Sequence, residues 1–165
     1  MHSESYDEMK RLFCAHADRK KMLHVLDVGS CDVNGCYKPI FEFQDYVGID
    51  IAPGPNVDKV IDAYKWDIDS EYFDVVISGQ AFEHIEYFWL TWAEIVRVTK
   101  PGGLIFLIAP GSGGQEFEHR HPVDCWRFMI DGYIALAKLH ELDILEINYL
   151  KSRWNDVAGA FRKGL

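Results

Sequence analysis

The four cysteines of this 165-residue chain, Cys14, Cys31, Cys36 and Cys125, show no C-x-x-C spacing. That absence removes the usual sequence grounds for a structural zinc or a redox dithiol, and no metal ligands are assigned. No apolar run approaches the roughly twenty residues that a membrane-spanning helix needs. The opening MHSESYDEMKRLF has no charged-then-apolar signal pattern. A cytoplasmic protein with reduced thiols and no membrane partner is therefore expected. Basic residues are scarce: 17 Lys and Arg face 26 Asp and Glu, a formal charge of −9. Nucleic-acid binders carry a basic stripe to neutralise phosphates, so no nucleic-acid partner is expected. Internal repeats and low-complexity segments are missing too. What remains is a composition 48% hydrophobic and 14% aromatic, which suits one folded domain over residues 1–165.

Acids early and bases late in SYDEMKRLFCAHADR predict an N-terminal helix within residues 1–20. KMLHVLDVG is a near-continuous apolar strand, the kind buried on both faces of a parallel sheet. DYVGIDI, DKVID, YFDVVISG and LIFLIAP read as further strands, with YKPIFEFQ a short helix between the first two. Residues 88–100 read as a helix that puts Trp89, Trp92, Ala93 and Val96 on one face, so both tryptophans are expected in the core. KPGG ends that helix. A polar segment, GSGGQEFEHRHPVDCWRF, follows the fifth strand, and residues 110–128 are expected to form an active-site loop. DGYIALAKLH then reads as a helix, and LDILEINYL and DVAGAFRK as strands. Strands alternating with helices imply a Rossmann-like α/β fold, a doubly wound, mostly parallel sheet. The short turn between the last two strands implies an antiparallel C-terminal hairpin.

In such a sheet ligands bind outside the carboxyl ends of the strands, where strand order reverses. The residues there are Asp27, Gly29, Ser30 and Asp32 after the first strand, Asp50 after the second, Asp62 after the third, and Gln80 to His84 after the fourth. VLDVGSCDVNG begins like a glycine loop for a dinucleotide, but Cys31 and Val33 stand where the next glycines belong. Asn34 and Gly35 are expected to supply its turn instead. Asp50 lies at the distance from Gly29 at which an acid accepts hydrogen bonds from ribose hydroxyls. Three acids, Asp27, Asp32 and Asp50, crowd one region, which suits a cationic ligand better than a pyrophosphate. That points away from NAD and toward S-adenosylmethionine, whose sulfonium and ammonium are positive. The plainer alternative is that Asp27 and Asp32 only cap the loop.

Taken in order, VLDVGS, YVGIDI, FDVVISGQAFEHI and EIVRVTKPGGLIFLIAP resemble the class I S-adenosylmethionine-dependent methyltransferases, and most of all their type 11, small-molecule group. The resemblance runs from about Leu23 to Ala109 and continues more weakly through HRHPVDCWRF. It implies a seven-stranded sheet ending in an antiparallel hairpin, with S-adenosylmethionine as cofactor. Carried onto this chain, it places Asp27 and Gly29 at the methionine side of the cofactor and Asp50 at the ribose. Asp62 and Ala63 would lie beside the adenine, and Gln80 would form the floor near the methionine moiety. Ser30 and Ile51, next to Gly29 and Asp50, are assigned to the same cofactor site.

Methyl transfer is an in-line displacement, so the protein must align the acceptor and, for a hydroxyl, remove its proton. Glu83, His84, His119, His121 and Asp124 are the candidates, and His84, His121 and Asp124 are chosen. Histidine titrates near neutrality, Pro122 stiffens the backbone beside His121, and Asp124 is placed to orient its ring. His84 is equally readable as a structural hydrogen-bonding residue. Arg127 either fixes an anionic group or pairs with an acid. GSGG lacks the Lys-Ser/Thr of a phosphate loop. The expected function is methyl transfer to a small molecule, a hydroxyl of a sugar or other metabolite, with a homodimer left open. The alternative is a non-catalytic protein that keeps the methyltransferase fold and binds cofactor or partner without turnover.

Overall fold

The architecture follows from where the apolar side chains fall. The computed structural model describes residues 2–113, 123–151 and 154–165. Its seven strands are β1 (His24–Val28), β2 (Asp45–Asp50), β3 (Lys59–Val60), β4 (Phe73–Gly79), β5 (Thr99–Ala109), β6 (Asp143–Tyr149) and β7 (Val157–Arg162). They form one sheet in the order β3-β2-β1-β4-β5-β7-β6. The first five strands pair in parallel, β7 is antiparallel to both β5 and β6, and the expected C-terminal hairpin is present. Strand order reverses between β1 and β4, so a crevice opens beyond their carboxyl ends.

Among the described residues three α-helices cover the sheet: α1 (Ser3–His16), α2 (Phe88–Val98) and α3 (Ile130–Leu139). In α1, Met9, Leu12 and Phe13 recur at helical spacing and bury against Val25, Val75, Ile77, Phe106 and Ala160 on one face. In α2 and α3, Trp92, Ile95 and Val96 with Tyr133, Leu136 and Ala137 cover the other face, around Leu26, Val76, Ile105 and Phe161. Trp89 departs from the sequence reading: its ring is 41% exposed and meets Trp126 at 6.3 Å instead of entering the core. The helical stripe that faces the sheet is centred on Trp92, which leaves Trp89 at its margin. KPGG is absorbed into the start of β5, which runs straight on from α2 at Thr99. Between Phe73↔Thr99 and Val75↔Leu104 it makes a bulge, and Gly102 takes a φ of +74° there. No helix among the described residues is long and apolar enough to cross a membrane.

The connection from β1 to β2 holds only a four-residue 3-10 turn, Lys38–Phe41. The face that a full helix would cover is filled by α1, whose Phe13 meets Phe41 edge-on at 4.7 Å. That substitution brings the amino end of α1 to the crevice. Ser5 Oγ lies 2.6 Å from the hydroxyl of buried Tyr37, and the His2 ring ion-pairs with buried Asp156 at 2.9 Å.

Candidate functional site

A cavity of about 1090 Å³ opens at the carboxyl ends of β1, β2 and β4. Of the residues expected to hold a cofactor, Asp27, Gly29, Ser30, Asp50, Ile51, Ala63 and Gln80 all line it. Asp62 does not: it sits on an exposed turn, where its carboxylate accepts the N–H groups of Tyr64 and Lys65 at 2.7 and 3.0 Å. Its role there is to shape the turn that carries Ala63 and Tyr64 to the cavity.

The loop after β1 dispenses with the two missing glycines by using other turn chemistry. The N–H groups of Gly29 and Ser30 both donate to the Ile49 carbonyl, and that of Asp32 to Pro55. Asp32 Oδ1 then accepts the Gly35 N–H at 2.7 Å, and Gly35 takes a φ of +108° while Cys31, Val33 and Asn34 keep negative φ. Gly35 supplies the turn, as expected, with Asp32 rather than Asn34 as its partner. Gly29 is obligatory: its φ is +79°, and an added Cβ would lie 2.5 Å from that of Ala81. Asp50 fastens the loop to β2, accepting the N–H of Cys31 at 3.1 Å and of Ile51 at 2.7 Å.

Asp27 lies inside β1 with 1% exposure. Its Oδ2 accepts a hydrogen bond from Tyr46 at 2.6 Å, and the Asn56 amide in turn donates to the Tyr46 hydroxyl at 2.8 Å. Oδ1 has no partner. Burial pushes the carboxyl up to about 7, with the Tyr46 hydrogen bond opposing and Asp50 adding to the rise. Single-strand reading missed Tyr46 and Asn56. Tyr46 is opposite Val25, and Asp27 is opposite Gly48, so only the β1–β2 register puts phenol and carboxyl on one face. Gly48 keeps the space between strands and loop open, since a Cβ there would run into Asn56 and Ser30.

Two more unpartnered buried atoms belong to the cavity wall after β4: Gln80 Nε2 and Glu83 Oε2. Gln80 is held at a φ of +58°, with its N–H donating to Ile108. Glu83 is 3% exposed, and burial pushes its carboxyl up to about 8. Its own N–H and Arg127 pull the other way, while Asp124 and Asp156 add to the rise. His84 also lines the cavity; its Nδ1–H donates to the Val123 carbonyl at 2.9 Å, and Nε2 stands 3.6 Å from Glu83 Oε1.

Residues 123–128 are stitched to this same turn. The N–H groups of Cys125 and Trp126 donate to the Glu83 carbonyl, and Trp126 Nε1 donates to Ile85 and Glu86. Arg127 grips Asp124 with both terminal guanidinium nitrogens, so of its two expected roles it takes the pairing with an acid. Asp124 and His84 are thus brought to one wall of the cavity. His121, with His119, lies outside the described residues. His2, Tyr37 and Trp154 complete the lining without any local sequence signal, because they arrive from distant segments.

The cavity fits an elongated cation-bearing cofactor. Buried acceptors without partners, Asp27 Oδ1 and Glu83 Oε2, together with the Gln80 donor, are the groups a polar ligand satisfies. The family model described as a methyltransferase domain, of type 11, matches residues 26–107. No curated protein matches the chain. Among solved structures, the fold is similar to a 1,6-didemethyltoxoflavin-N1-methyltransferase from Burkholderia thailandensis with S-adenosylhomocysteine bound. That likeness has a TM-score of 0.78 at 15% identity, over 98% of this chain and 79% of that one. An S-adenosylmethionine-dependent methyltransferase from Mesorhizobium loti aligns with a TM-score of 0.75 at 11% identity, over 98% of both chains. The cyclase SpnF aligns with a TM-score of 0.74 at 14% identity, over 96% of this chain and 81% of that one. The matched span carries the Asp27, Gly29, Asp50, Gln80 and Glu83 parts of the cavity, and with it the chain belongs to the class I S-adenosylmethionine-dependent methyltransferases.

Proposed function

We propose that this enzyme methylates a hydroxyl group of a small metabolite, of the sugar type or similar, in the cytoplasm. The observation that carries the reading is the row of unpartnered buried polar atoms along one continuous cavity, from Asp27 on β1 to Glu83 after β4. Asp27 and Gly29 serve the methionine end, Ser30 and Gln80 the wall beside it, and Asp50 and Ile51 the ribose. Ala63 serves the adenine; Asp62 acts on that end by holding the turn. S-adenosylmethionine, when bound, supplies an electrophilic methyl group. The chain's own residues bind it, exclude water and manage the acceptor's proton, for which His84, Asp124 and His121 are the proposed set.

His2 before α1, Pro110, residues 123–125 and Trp154 line the side of the cavity away from Asp50, where a small acceptor would be met. The −9 charge argues against a nucleic-acid substrate. A homodimer stays a proposal as well, resting on edge strand β6 and its exposed Ile144 and Tyr149; size-exclusion chromatography with light scattering tests it.

Calorimetric titration with S-adenosylhomocysteine and with NAD tests the cofactor site. Binding of the first and not the second is expected, and Asp50→Ala should weaken it about tenfold, since it removes both a ribose acceptor and a loop fastening. Unchanged affinity in Asp50→Ala would remove Asp50 from the site. Transfer of label to any acceptor in a metabolite extract separates an enzyme from a protein that only binds. That contrast matters because the same fold serves a protein named as a cyclase.

A further inference from the structure

We propose that Glu83 is the proton acceptor for the methyl-accepting hydroxyl, with the neighbouring His84 imidazole positioned to share that proton. The proposal rests on the reading of the cavity as the cofactor and acceptor site.

Position is the first argument. Across the sheet, Asp50 on β2 and Asp27 on β1 mark the cofactor half of the cavity, while Pro110 after β5 and Trp154 before β7 line the other half. Glu83 follows β4, between the two halves, where the transferred group must pass from one molecule to the other. The second argument is its chemistry. Oε2 is buried in the cavity wall with no partner, although the side chain is almost wholly withdrawn from water. A carboxyl kept in that state is costly unless something satisfies it, and a protic ligand in the cavity does so.

The surroundings tune the group for proton transfer near neutral pH. From its own turn it faces His84 Nε2 at 3.6 Å. From the 123–128 segment it faces Asp124 and Arg127, from α3 Tyr133, from the β1–β2 connection Tyr37, and from the residue before β7 Asp156. Burial and two of those acids hold the carboxyl near 8, close to where a general base works best. The Val123 carbonyl accepts the His84 Nδ1–H, which fixes the tautomer that presents Nε2 to Glu83. In the transfer, a lone pair of the acceptor oxygen forms the new O–CH3 bond. The C–S pair stays on sulfur, which becomes a neutral thioether, and the hydroxyl proton passes to the Glu83 carboxylate.

The test needs no knowledge of the acceptor. Sinefungin carries a C–NH3+ group where the cofactor carries S+–CH3, so its ammonium reports the charge that faces the methyl position. In the wild-type protein the ratio of S-adenosylhomocysteine to sinefungin dissociation constants should rise about tenfold from pH 6 to pH 8.5, as ammonium and ionised carboxylate pair. In Glu83→Gln the ratio should no longer change with pH, because the neutral amide cannot ionise to pair with the ammonium. A ratio in the wild type that does not change with pH, or one that Glu83→Gln leaves intact, overturns the role of Glu83 while the cofactor site stands. The wild-type series decides even if the variant folds poorly. Failure of S-adenosylhomocysteine to bind the wild type overturns the cofactor site itself, and this proposal with it.

Discussion

Asp27→Asn is expected to weaken S-adenosylhomocysteine binding about 100-fold, the loss of a buried charged hydrogen bond to the ligand's ammonium. The same substitution should raise the melting temperature of the ligand-free protein at pH 8 by several degrees. Function and stability pull apart here because the carboxyl is buried for a ligand it meets only in the complex. The sign follows from linkage. The folded-state carboxyl titrates at about 7 instead of its ordinary 3.8, so the folded protein holds that proton more tightly than the unfolded chain. Stability from this group is complete below the ordinary value, falls as pH rises through the interval, and is gone above about 7.

Glu83 acts in the same direction up to about 8. His2 does too: burial works to lower its pKa, but the Asp156 and Glu4 carboxylates outweigh that and raise it, so its contribution is lost at higher pH. The carboxyls of Asp74, Glu94 and Glu146, all lowered, lose stability only at acid pH, below this window. The wild-type melting temperature should therefore fall between pH 5 and pH 8, and the Asp27→Asn slope should be shallower. Differential scanning fluorimetry across that range, with calorimetric titration at pH 8, checks both. A melting temperature for Asp27→Asn that tracks the wild type at every pH would mean that Asp27 keeps an ordinary carboxyl.

Trp92→Ala should cost about 4 kcal/mol of folding stability, read as a lower urea midpoint, with a melting temperature about 10 °C below wild type. Trp92 is fully buried between Phe82 at 6.2 Å and Phe161 at 5.4 Å, both edge-on, so its removal empties the centre of the helix-covered face. It also leaves the Leu136 carbonyl without the indole N–H that donates to it at 3.1 Å. Trp92→Phe separates the two effects, restoring most of the volume while the carbonyl stays unpaired. A Trp92→Phe stability equal to that of Trp92→Ala would assign the whole effect to the hydrogen bond. Because Phe82 precedes Glu83, the cavity wall is anchored on this cluster, and loosening it should also reduce ligand affinity.

The fold was largely legible from the chain because its signals are local. A continuous β-branched run such as VVI in β4, or Met9, Leu12 and Phe13 at helical spacing, reports its own burial without reference to distant residues. The candidate site was legible wherever a strand ends in a polar residue, since a parallel sheet delivers those ends to one crevice. Asp27, Gly29, Asp50 and Gln80 were found that way. Trp89 was misplaced because periodicity gives a stripe's spacing but not its centre. Asp62 was expected in the cavity because it follows β3, yet an aspartate can equally serve its own turn, here accepting two N–H groups on one oxygen.

The opening glycine loop shows where local reading ends. By itself the sequence determined that two glycines are missing after Gly29, that the region is acidic, and that the chain carries the strand and turn pattern of a methyltransferase. Tertiary structure decided the rest. The Tyr46 hydroxyl, fixed by strand register, takes one oxygen of the cavity-lining Asp27 and leaves the other without a partner, and Asp32 with Gly35 rebuilds the turn. With no full helix between β1 and β2, α1 covers that face and carries His2 to the cavity. Each depends on which strands lie side by side and how far a connection reaches, and a linear pattern of residue types holds neither.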